Sequence, residues 1–285
     1  MRITPFKIPK TGNNAVIVQE DIEEQFYDKF HQHEELQISL VLKGSGTLLV
    51  GDSIKRYGPG DVVVFGSYLP HVFKSDINGQ DKSHMVSIFF TKENFGEQLF
   101  QINELKSLET LLSMATSGFK IKRPNPLMTK YFLNLRDCVG LDRLIQFFGL
   151  LALLDHEEKI LLSSTAYKTR LKDNEGQRIA KVFDYMVSHF QDKISLGEIA
   201  DVASMTPTAF CRFFKLHTRK TFSQFLLELR IEHACKLLET QGHKVMVSDI
   251  AFRSGFSSIS NFNRYFKKTK GMSPLNYAAS KLQNH

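Results

Sequence analysis

Two similar stretches decide the fold of this chain: SLGEIADVASMTPTAFCRFFKLHTRKTFSQF at residues 195–225 and VSDIAFRSGFSSISNFNRYFKKTKGMSPLNY at residues 247–277. Both contain the pattern Phe-x-Arg-x-Phe-Lys, which starts at Phe210 and again at Phe262, 52 residues further on. Each stretch joins a short apolar helix to a second helix whose outer face is basic and polar. Repetition at a fixed spacing indicates that one helical unit occurs twice.

Helix start signals divide the repeat into segments. Ser195 and Glu198 have the spacing of a capping box, and Thr206 is placed to cap the second helix of the first copy. A longer helix is predicted over about 221–239; its roughly 19 residues span about 28 Å, close to the roughly 34 Å between successive major-groove faces on one side of DNA. The pattern therefore predicts two helix-turn-helix motifs joined by a long helix.

The phenylalanines of the repeated pattern keep the spacing of an inward helix face, so we expect them in the core and not stacked on bases. Arg212 and Arg264 then point outward. A bundle with solvated arginines is the plain alternative. Because capping, turn, repeat and charge agree independently, we favour insertion of the second helix of each motif into the DNA major groove.

The positive charge of the chain is concentrated with the repeat. Residues 175–285 hold 16 Lys and Arg against nine Asp and Glu, which equals the net charge of +7 of the whole chain. A basic domain attracts a polyanion through counterion release. A solvated basic face explains the charge equally well, so charge alone does not decide.

Composition places the chain among ordinary globular proteins, with 42% hydrophobic and 24% charged residues in 285. It shows neither a signal peptide nor an apolar run of the roughly 18 residues needed to cross a bilayer. Three cysteines, odd in number and without ligand spacing, agree with a reducing compartment. We therefore expect a cytoplasmic protein with no membrane partner.

Residues 24–90 alternate short β-rich runs with glycine turns, as in LQISLVLKG and VVVFG. Such spacing predicts a small antiparallel barrel or sandwich. The order of motifs resembles a cupin barrel. The resemblance places His31, His33 and His71 on three metal-ligand positions and Gln37 on the usual Glu position.

Three interpretations of these four side chains remain open. Three imidazoles can hold zinc or iron, but a neutral Gln oxygen holds a metal less firmly than a carboxylate does. They can instead form a polar lining for an organic effector, or simply bind one another at the barrel mouth. We favour the effector and expect no metal cofactor.

Helical periodicity replaces the strand pattern between about 92 and 160. Apolar residues from Leu99 to Leu112 predict one helix, and a broad stripe over residues 127–154 predicts more. Because the apolar residues of 147–154 cover more than one face, one barrel wall is not expected to bury them all. A homodimer interface is the favoured explanation. Residues 163–176 are polar and are the predicted linker.

The stretch GFSSISNFNRYFKKTKGMSPLNY is similar to the signature of AraC/XylS-type transcription regulators, and the double motif before it fits that family. The resemblance covers nearly the whole chain and implies a cupin-like sensing domain that dimerises through the helices after its barrel. Two departures stand out: Arg219 replaces the usual glycine at a helix end, and Phe222 replaces the proline that follows Ser or Thr in the second copy.

By position, the resemblance assigns base contacts to two groups of outward residues. The predicted DNA-contacting set, with helix caps and phosphate-binding lysines, is Thr206, Thr208, Cys211, Arg212, Lys215, Ser258, Ser260, Asn261, Asn263, Arg264 and Lys267. Because Thr208 and Cys211 are small, we expect the first motif to read bases weakly and the second to carry more specificity.

The predicted fold is α+β, with a cupin-like β-barrel and helices followed by an all-α domain with two helix-turn-helix motifs. We expect an effector-binding and dimerisation domain at 1–162 (barrel about 14–91, helices about 92–160) and a DNA-binding domain at 177–285. The partners are double-stranded DNA, a small-molecule effector, a second copy and, for activation, RNA polymerase. The alternatives are a metal-dependent cupin enzyme with a DNA-binding tail, and a ligand-independent regulator whose barrel is a scaffold.

Overall fold

The computed structural model divides the chain into two compact units, Met1–Lys172 and Asp173–His285. It describes residues 8, 14–76, 82–96, 98–167, 173–241 and 245–282. No helix among these residues is both long and apolar enough to span a bilayer.

Unit 1 contains two antiparallel sheets. The six-stranded sheet has the order β1-β7-β2-β5-β8-β9, and the three-stranded sheet has the order β4-β3-β6. The strands are β1 (Val16–Glu23), β2 (Leu36–Lys43), β3 (Gly46–Val50), β4 (Ser53–Tyr57), β5 (Val62–Phe65), β6 (His71–Ser75), β7 (Ser83–Phe90), β8 (Phe119–Ile121) and β9 (Lys159–Leu161). The antiparallel barrel or sandwich predicted from the turn spacing is confirmed.

The six-stranded sheet is covered on both faces. One face packs with the three-stranded sheet in a core that includes Val41, Phe65 and Phe73. The other face packs under helices α1 (Ser107–Ala115), α2 (Pro126–Asp137) and α3 (Gly140–His156). Because both faces are covered, the first six residues of β2 are all buried, including the polar Gln37 and Ser39 that alternate with its apolar residues.

The apolar stripe of α3 is mostly buried within one copy of unit 1. Phe147, Leu150, Leu151 and Leu154 are each no more than 1% exposed, since they pack against the sheet together with α1 and α2. Phe148 and Leu153, the other large apolar residues of this stretch, are only partly buried, so one copy covers most of the stripe but not all of it. The exposed apolar residues of this region lie at the other end of the helix and just before it, at Val139, Leu141 and Ile145.

Two further features of the middle region differ from expectation. The predicted helix from Leu99 to Leu112 begins as 3-10 turns, and its α-helical part starts only at Ser107. The strands β8 and β9 were not predicted, because three-residue strands are too short to show a period. They extend the sheet beyond β5, with Val63 opposite Lys120 and Phe119 opposite Leu161.

The first residues of the stretch predicted as linker, 163–167, are attached to unit 1. Asp52, which is buried, accepts hydrogen bonds from Ser163 Oγ at 2.7 Å and from the backbone N–H of Ser164 at 2.9 Å. A buried carboxylate requires such donors. Since the next helix already starts at Asp173, elements of both units extend into the predicted linker.

Unit 2 is entirely helical among its described residues. Its helices are α4 (Asp173–His189), α5 (Leu196–Val202), α6 (Pro207–Thr218), α7 (Phe222–Gln241), α8 (Val247–Arg253), α9 (Ile259–Lys270) and α10 (Pro274–Leu282). The capping box of Ser195 and Glu198 is confirmed, and Thr206 caps α6 as predicted. A reciprocal pair of hydrogen bonds between Thr221 and Gln224 starts α7.

Helix α7 serves two cores. Its first half packs against α4 and α6, where Phe225 stacks on Phe183 with ring centroids 4.9 Å apart. Its second half contributes Ile231, Ala234 and Leu238 to a core with α8, α9 and α10. The 20 residues of α7 span about 30 Å, so this one helix sets the spacing of the two motifs.

Helices α6 and α9 end in the same left-handed turn with different residues. Gly271 follows α9 with a φ of 74°, and Arg219 follows α6 with a φ of 55°. Glycine adopts this conformation without strain, whereas a residue with a Cβ adds about 1–2 kcal/mol of conformational strain to the folded state. The departure from the family glycine at Arg219 therefore changes the residue and leaves the backbone turn in place.

The turn of the second motif requires glycine for space as well as for conformation. Gly255 has a φ of 81°, and a Cβ there would lie 2.6 Å from the carbonyl oxygen of Phe190. That oxygen accepts a hydrogen bond from Arg230 Nε at 2.7 Å, and Arg230 belongs to α7. The backbones after α4 and α8 thus approach each other around one arginine of the central helix.

We expect Gly255→Ala to lower the free energy of unfolding by at least about 2 kcal/mol, because strain and a backbone clash add. Gly197→Ala is the matched control: a Cβ at Gly197, in α5, meets nothing within 4 Å, and alanine should raise stability by about 0.5 kcal/mol. Urea unfolding followed by the helical circular dichroism signal measures both. Equal midpoints for Gly255→Ala and the unmodified chain would contradict the conclusion that this turn requires glycine.

Candidate nucleic-acid interface and barrel cavity

Helix α6 presents a buried aromatic face and an exposed polar face. Phe210 and Phe214 are fully buried, whereas Cys211, Arg212 and Lys215 are exposed. The helix starts at the cap Thr206, whose Oγ1 accepts a hydrogen bond from the N–H of Ala209 at 3.4 Å.

Helix α9 repeats this arrangement. Phe262 and Phe266 are fully buried, and Ser258 Oγ accepts a hydrogen bond from the N–H of Asn261 at 3.4 Å. The outward residues of both helices follow the same spacing from these phenylalanines. The structure places every predicted DNA-contacting residue on the outer faces or caps of α6 and α9: all are exposed except Ser258, which is half-buried.

Arg264 is oriented before any ligand is present. Its Nη2 donates a hydrogen bond to Asn261 Oδ1 at 3.0 Å, and its guanidinium lies 5.0 Å from the ring centre of Tyr265. An arginine held in this way has less side-chain freedom left to lose on binding any ligand. Lys267 and Lys268 are also exposed near the end of α9, and the predicted set did not include Lys268.

Unit 1 contains a small open cavity of about 40 Å³ between its two sheets. Its lining consists of Gln19, Asp21, Glu23, Phe26, Tyr27, His31, Gln37, His71, Phe73, Met85, Ser87 and Phe89. The predicted effector residues His31, Gln37 and His71 therefore line a cavity, and His33 contacts Gln37 behind it.

The three predicted histidines converge. One nitrogen from each of His31, His33 and His71 lies within 4.8 Å of the other two. Burial lowers the pKa of His31 to about 3, with a smaller contribution from the His33 imidazole. Burial also lowers the pKa of His33, against the opposing effect of the Glu35 carboxylate, and places that of His71 well below its ordinary value. All three rings are therefore neutral at neutral pH.

Hydrogen bonding shows how Gln37 contacts two of these rings. In His33 and in His71, Nδ1 lies 2.9 Å from a backbone carbonyl oxygen, which can only accept, so the single ring proton is on Nδ1. Both Nε2 atoms lie 3.0 Å from the same end of the Gln37 amide. The two ends of an amide have nearly the same shape, so hydrogen bonding decides which end faces the rings. In the structure Gln37 Oε1 faces both rings, and Gln37 Nε2 lies 2.8 Å from Ser39 Oγ. Because two rings that carry their proton on Nδ1 offer only acceptors at Nε2, we turn the amide over, so that its NH₂ group donates to the histidines and its oxygen accepts from the Ser39 hydroxyl.

The same geometry tests whether a metal suits the site. Ring nitrogens fixed by backbone carbonyls on their far side are typical of histidines that bind metal, and His31 has this arrangement too, with Nδ1 2.7 Å from the oxygen of Lys29. His31, His33 and His71 are the residues that would hold an ion. The Gln37 amide, however, satisfies two of the three nitrogens without one. It would have to rotate to offer oxygen to a metal.

The sequence prediction missed the polar residues that β1 and β7 contribute to the cavity: Gln19, Asp21, Glu23 and Ser87. The signal that could have found three of them is the sequence of β1, VIVQEDIE, in which Gln19, Asp21 and Glu23 alternate along one face. Polar residues on the opposite face, such as Glu20, conceal that alternation.

Comparison with known proteins agrees with both units. Residues 19–89 match the cupin domain family, and residues 199–280 match a helix-turn-helix domain family. The chain is 26% identical over 251 residues to the probable transcriptional regulator LumQ of Photobacterium leiognathi, covering 87% of this chain and 91% of LumQ. It is 23% identical over 259 residues to the HTH-type transcriptional activator RhaR of Mannheimia succiniciproducens, covering 87% of this chain and 86% of RhaR.

Among solved structures, the DNA-binding domain of AdpA in complex with a target DNA is 28% identical, with a TM-score of 0.36, and covers 38% of this chain and 96% of that domain. The two domain matches and the regulators that match along most of the chain agree with the order of a barrel followed by two repeated motifs. The chain thus joins a cupin domain to an AraC-type helix-turn-helix domain and is similar, along most of its length, to transcriptional regulators.

Proposed function

We propose that the chain is a dimeric, sequence-specific regulator in which α6 and α9 enter the DNA major groove and an effector in the barrel cavity controls binding. The observation that supports this most strongly is the matching pair of helix faces, with phenylalanines in the core and polar residues outside. Helices α6 and α9 offer arginine, asparagine, serine and threonine, the side chains that read base edges.

The outward residues divide into two roles. Arg212, Asn263 and Arg264 have the reach and the hydrogen-bond donors for base edges, whereas Lys215 and Lys267 suit phosphates. Thr208 and Cys211 offer little reach, so the second motif carries more of the specificity. The chain acts where its DNA lies, in the cytoplasm, and activation adds RNA polymerase as a partner.

Arg264→Ala should weaken binding to a DNA site by about 1–3 kcal/mol and relax preference at one base pair, because a bidentate base contact is lost. Lys267→Ala should weaken binding to all sequences alike and reduce the salt dependence by about one counterion. Enrichment of a random duplex pool on the full chain supplies the site, and titrations at fixed salt measure the affinities.

The matched control is Lys193→Ala, which removes an exposed lysine from the segment before α5 and should leave DNA affinity unchanged. Unaltered discrimination by Arg264→Ala would reject Arg264 as a base contact. Failure of the unmodified chain to enrich any sequence would reject the sequence-specific regulator itself.

The effector proposal combines the cavity with the connection between the units. An effector that binds one arrangement of the sensing and DNA-binding units more tightly shifts the population toward that arrangement. The linker, proposed at 163–176, would be where the arrangement changes. The dimer arms would then meet their DNA half-sites differently.

The homodimer proposal now rests on the exposed apolar residues at the start of α3. Leu141 is 72% exposed, Ile145 is 57% exposed and Val139, just before the helix, is 73% exposed. Leu141 and Ile145 are four residues apart and so lie on one face of α3. An apolar face of this kind is typical of a helix that packs against a second copy.

The double substitution Leu141→Lys with Ile145→Lys should convert the dimer into a monomer, since each apolar contact becomes a buried or repelling charge. Ile160→Lys on β9, at the opposite edge of the sheet from β1, replaces a side chain that is 44% exposed and should leave the mass unchanged. Sedimentation equilibrium of the full chain measures both. A monomeric unmodified chain would contradict the proposal.

Two alternatives make different predictions. A cupin-type metal enzyme requires a firmly held ion, but the Gln37 amide already satisfies two of the histidines. Dialysis against EDTA should therefore leave the thermal unfolding midpoint and the DNA affinity of the purified chain unchanged. Stoichiometric iron or zinc with turnover of a small substrate would favour the enzyme. A ligand-independent scaffold would show no change in DNA affinity with any molecule that binds the cavity.

A further inference from the structure

We propose that the ligand of the barrel cavity is a small organic cation, such as a primary amine, held by Asp21 and Gln19 against an aromatic wall. The inference rests on the proposed function, in which the cavity binds an effector, and adds the chemical class of that effector.

The acidic side of the cavity is formed by one face of β1. Gln19, Asp21 and Glu23 alternate along the strand, so their side chains share a face, and all three line the cavity. Gln19 pairs across the sheet with Ser87, and Asp21 pairs with Met85, on the neighbouring strand β7. The carboxylates are therefore held on a paired strand and not on a loop.

Asp21 differs from its sequence neighbour Glu20 in its partners. Glu20, on the opposite face, lies 2.8 Å from His84 Nε2 and 3.0 Å from Arg136 Nη1. Asp21 accepts a hydrogen bond from Gln19 Nε2 at 2.7 Å, and no Lys or Arg of the described chain forms an ion pair with it. Burial raises the pKa of Asp21, the bond from Gln19 lowers it and the charge of Glu23 raises it again. A bound cation would supply the missing positive charge.

Gln19 offers a second, independent feature. Its NH₂ group is directed to Asp21, and its Oε1 atom is buried with no hydrogen-bond partner among the residues that the structure describes. A buried acceptor without a donor destabilises the folded state by about 1–3 kcal/mol, because its hydrogen bonds to water are not replaced. An ammonium group has three N–H donors and no acceptor, so one such group can bind both the Asp21 carboxylate and the Gln19 oxygen.

The remaining wall suits the organic part of such a ligand. Phe26, Tyr27, Phe73 and Phe89 all line the cavity, and aromatic faces attract cations as well as hydrocarbon. No Lys or Arg is among the lining residues of the described chain, so a carboxylate or phosphate ligand would meet acidic groups without a counter-charge. We therefore expect the cavity to favour a positively charged ligand over a neutral or negatively charged one.

Two matched sets of probes test the inference on the full chain by isothermal titration calorimetry. The first set is benzylamine, benzyl alcohol and benzoate, and the second is 1,4-diaminobutane, 1,4-butanediol and succinate. Within each set the skeleton is similar and the charge changes. In at least one set the amine should bind at least about tenfold more tightly than the alcohol, and the carboxylate should not bind.

Two variants locate the binding. Asp21→Asn should weaken amine binding at least about tenfold and change alcohol binding by less than about threefold. Glu20→Gln, which removes the neighbouring carboxylate on the other face of β1, should leave amine binding unchanged. Thermal unfolding of each variant verifies the fold, and Gln19→Leu is a second probe of the same site if Asp21→Asn unfolds.

The outcomes separate this inference from the proposed function. Tighter binding of benzoate or succinate, undiminished amine binding by Asp21→Asn, or no binding of either amine overturns the cationic ligand. None of these results affects the titrations with DNA. An amine that binds through Asp21 but leaves DNA affinity unchanged supports the ligand class and counts against effector control.

Discussion

Burial of four phenylalanines determines which faces of α6 and α9 are exposed. Two fully buried rings lie in each of α6 and α9: Phe210 and Phe214, and Phe262 and Phe266. Replacing such a side chain by alanine typically lowers the free energy of unfolding by about 3–5 kcal/mol. Because a helix has a fixed period, rotation of α6 or α9 to hide its polar face would expose these rings. The outward direction of Arg212 and Arg264 therefore follows from the core. Helix α7 contributes to both cores and so links the two faces.

A comparable constraint organises the barrel. The six-stranded sheet packs helices on one face and the second sheet on the other, so only part of its surface is free to line a cavity. Polar side chains on that part are connected through hydrogen bonds from Ser87 through Ser39 and Gln37 to His33 and His71. This network provides partners for the Nε2 atoms of His33 and His71, while burial keeps both rings neutral. On the other side of the cavity, the Asp21 carboxylate forms no ion pair with a Lys or Arg of the described chain. This is where we propose that a cation binds.

Much of the fold was predictable because the signals are local. The capping residues Ser195 and Thr206 predicted the starts of α5 and α6, and strands with glycine turns predicted the barrel. The short strands β8 and β9 were not predictable, since each is defined by its pairing partner and not by a period. The burial of Phe147 was underestimated, because it depends on packing against residues far away in the chain, such as Phe90 of β7, whose ring centroid lies 4.9 Å from that of Phe147.

The sequence by itself determined the order of the two units, the repeat and the identity of the outward residues, because period, caps and charge depend on neighbours within a few positions. It also marked His31, His33, Gln37 and His71 as a set. Only the tertiary structure decided that Gln19 and Asp21 face the same cavity, that Gln37 binds two imidazoles and that Gly255 approaches Phe190. These contacts join residues from separate segments of the chain, and their distances depend on how strands and helices pack.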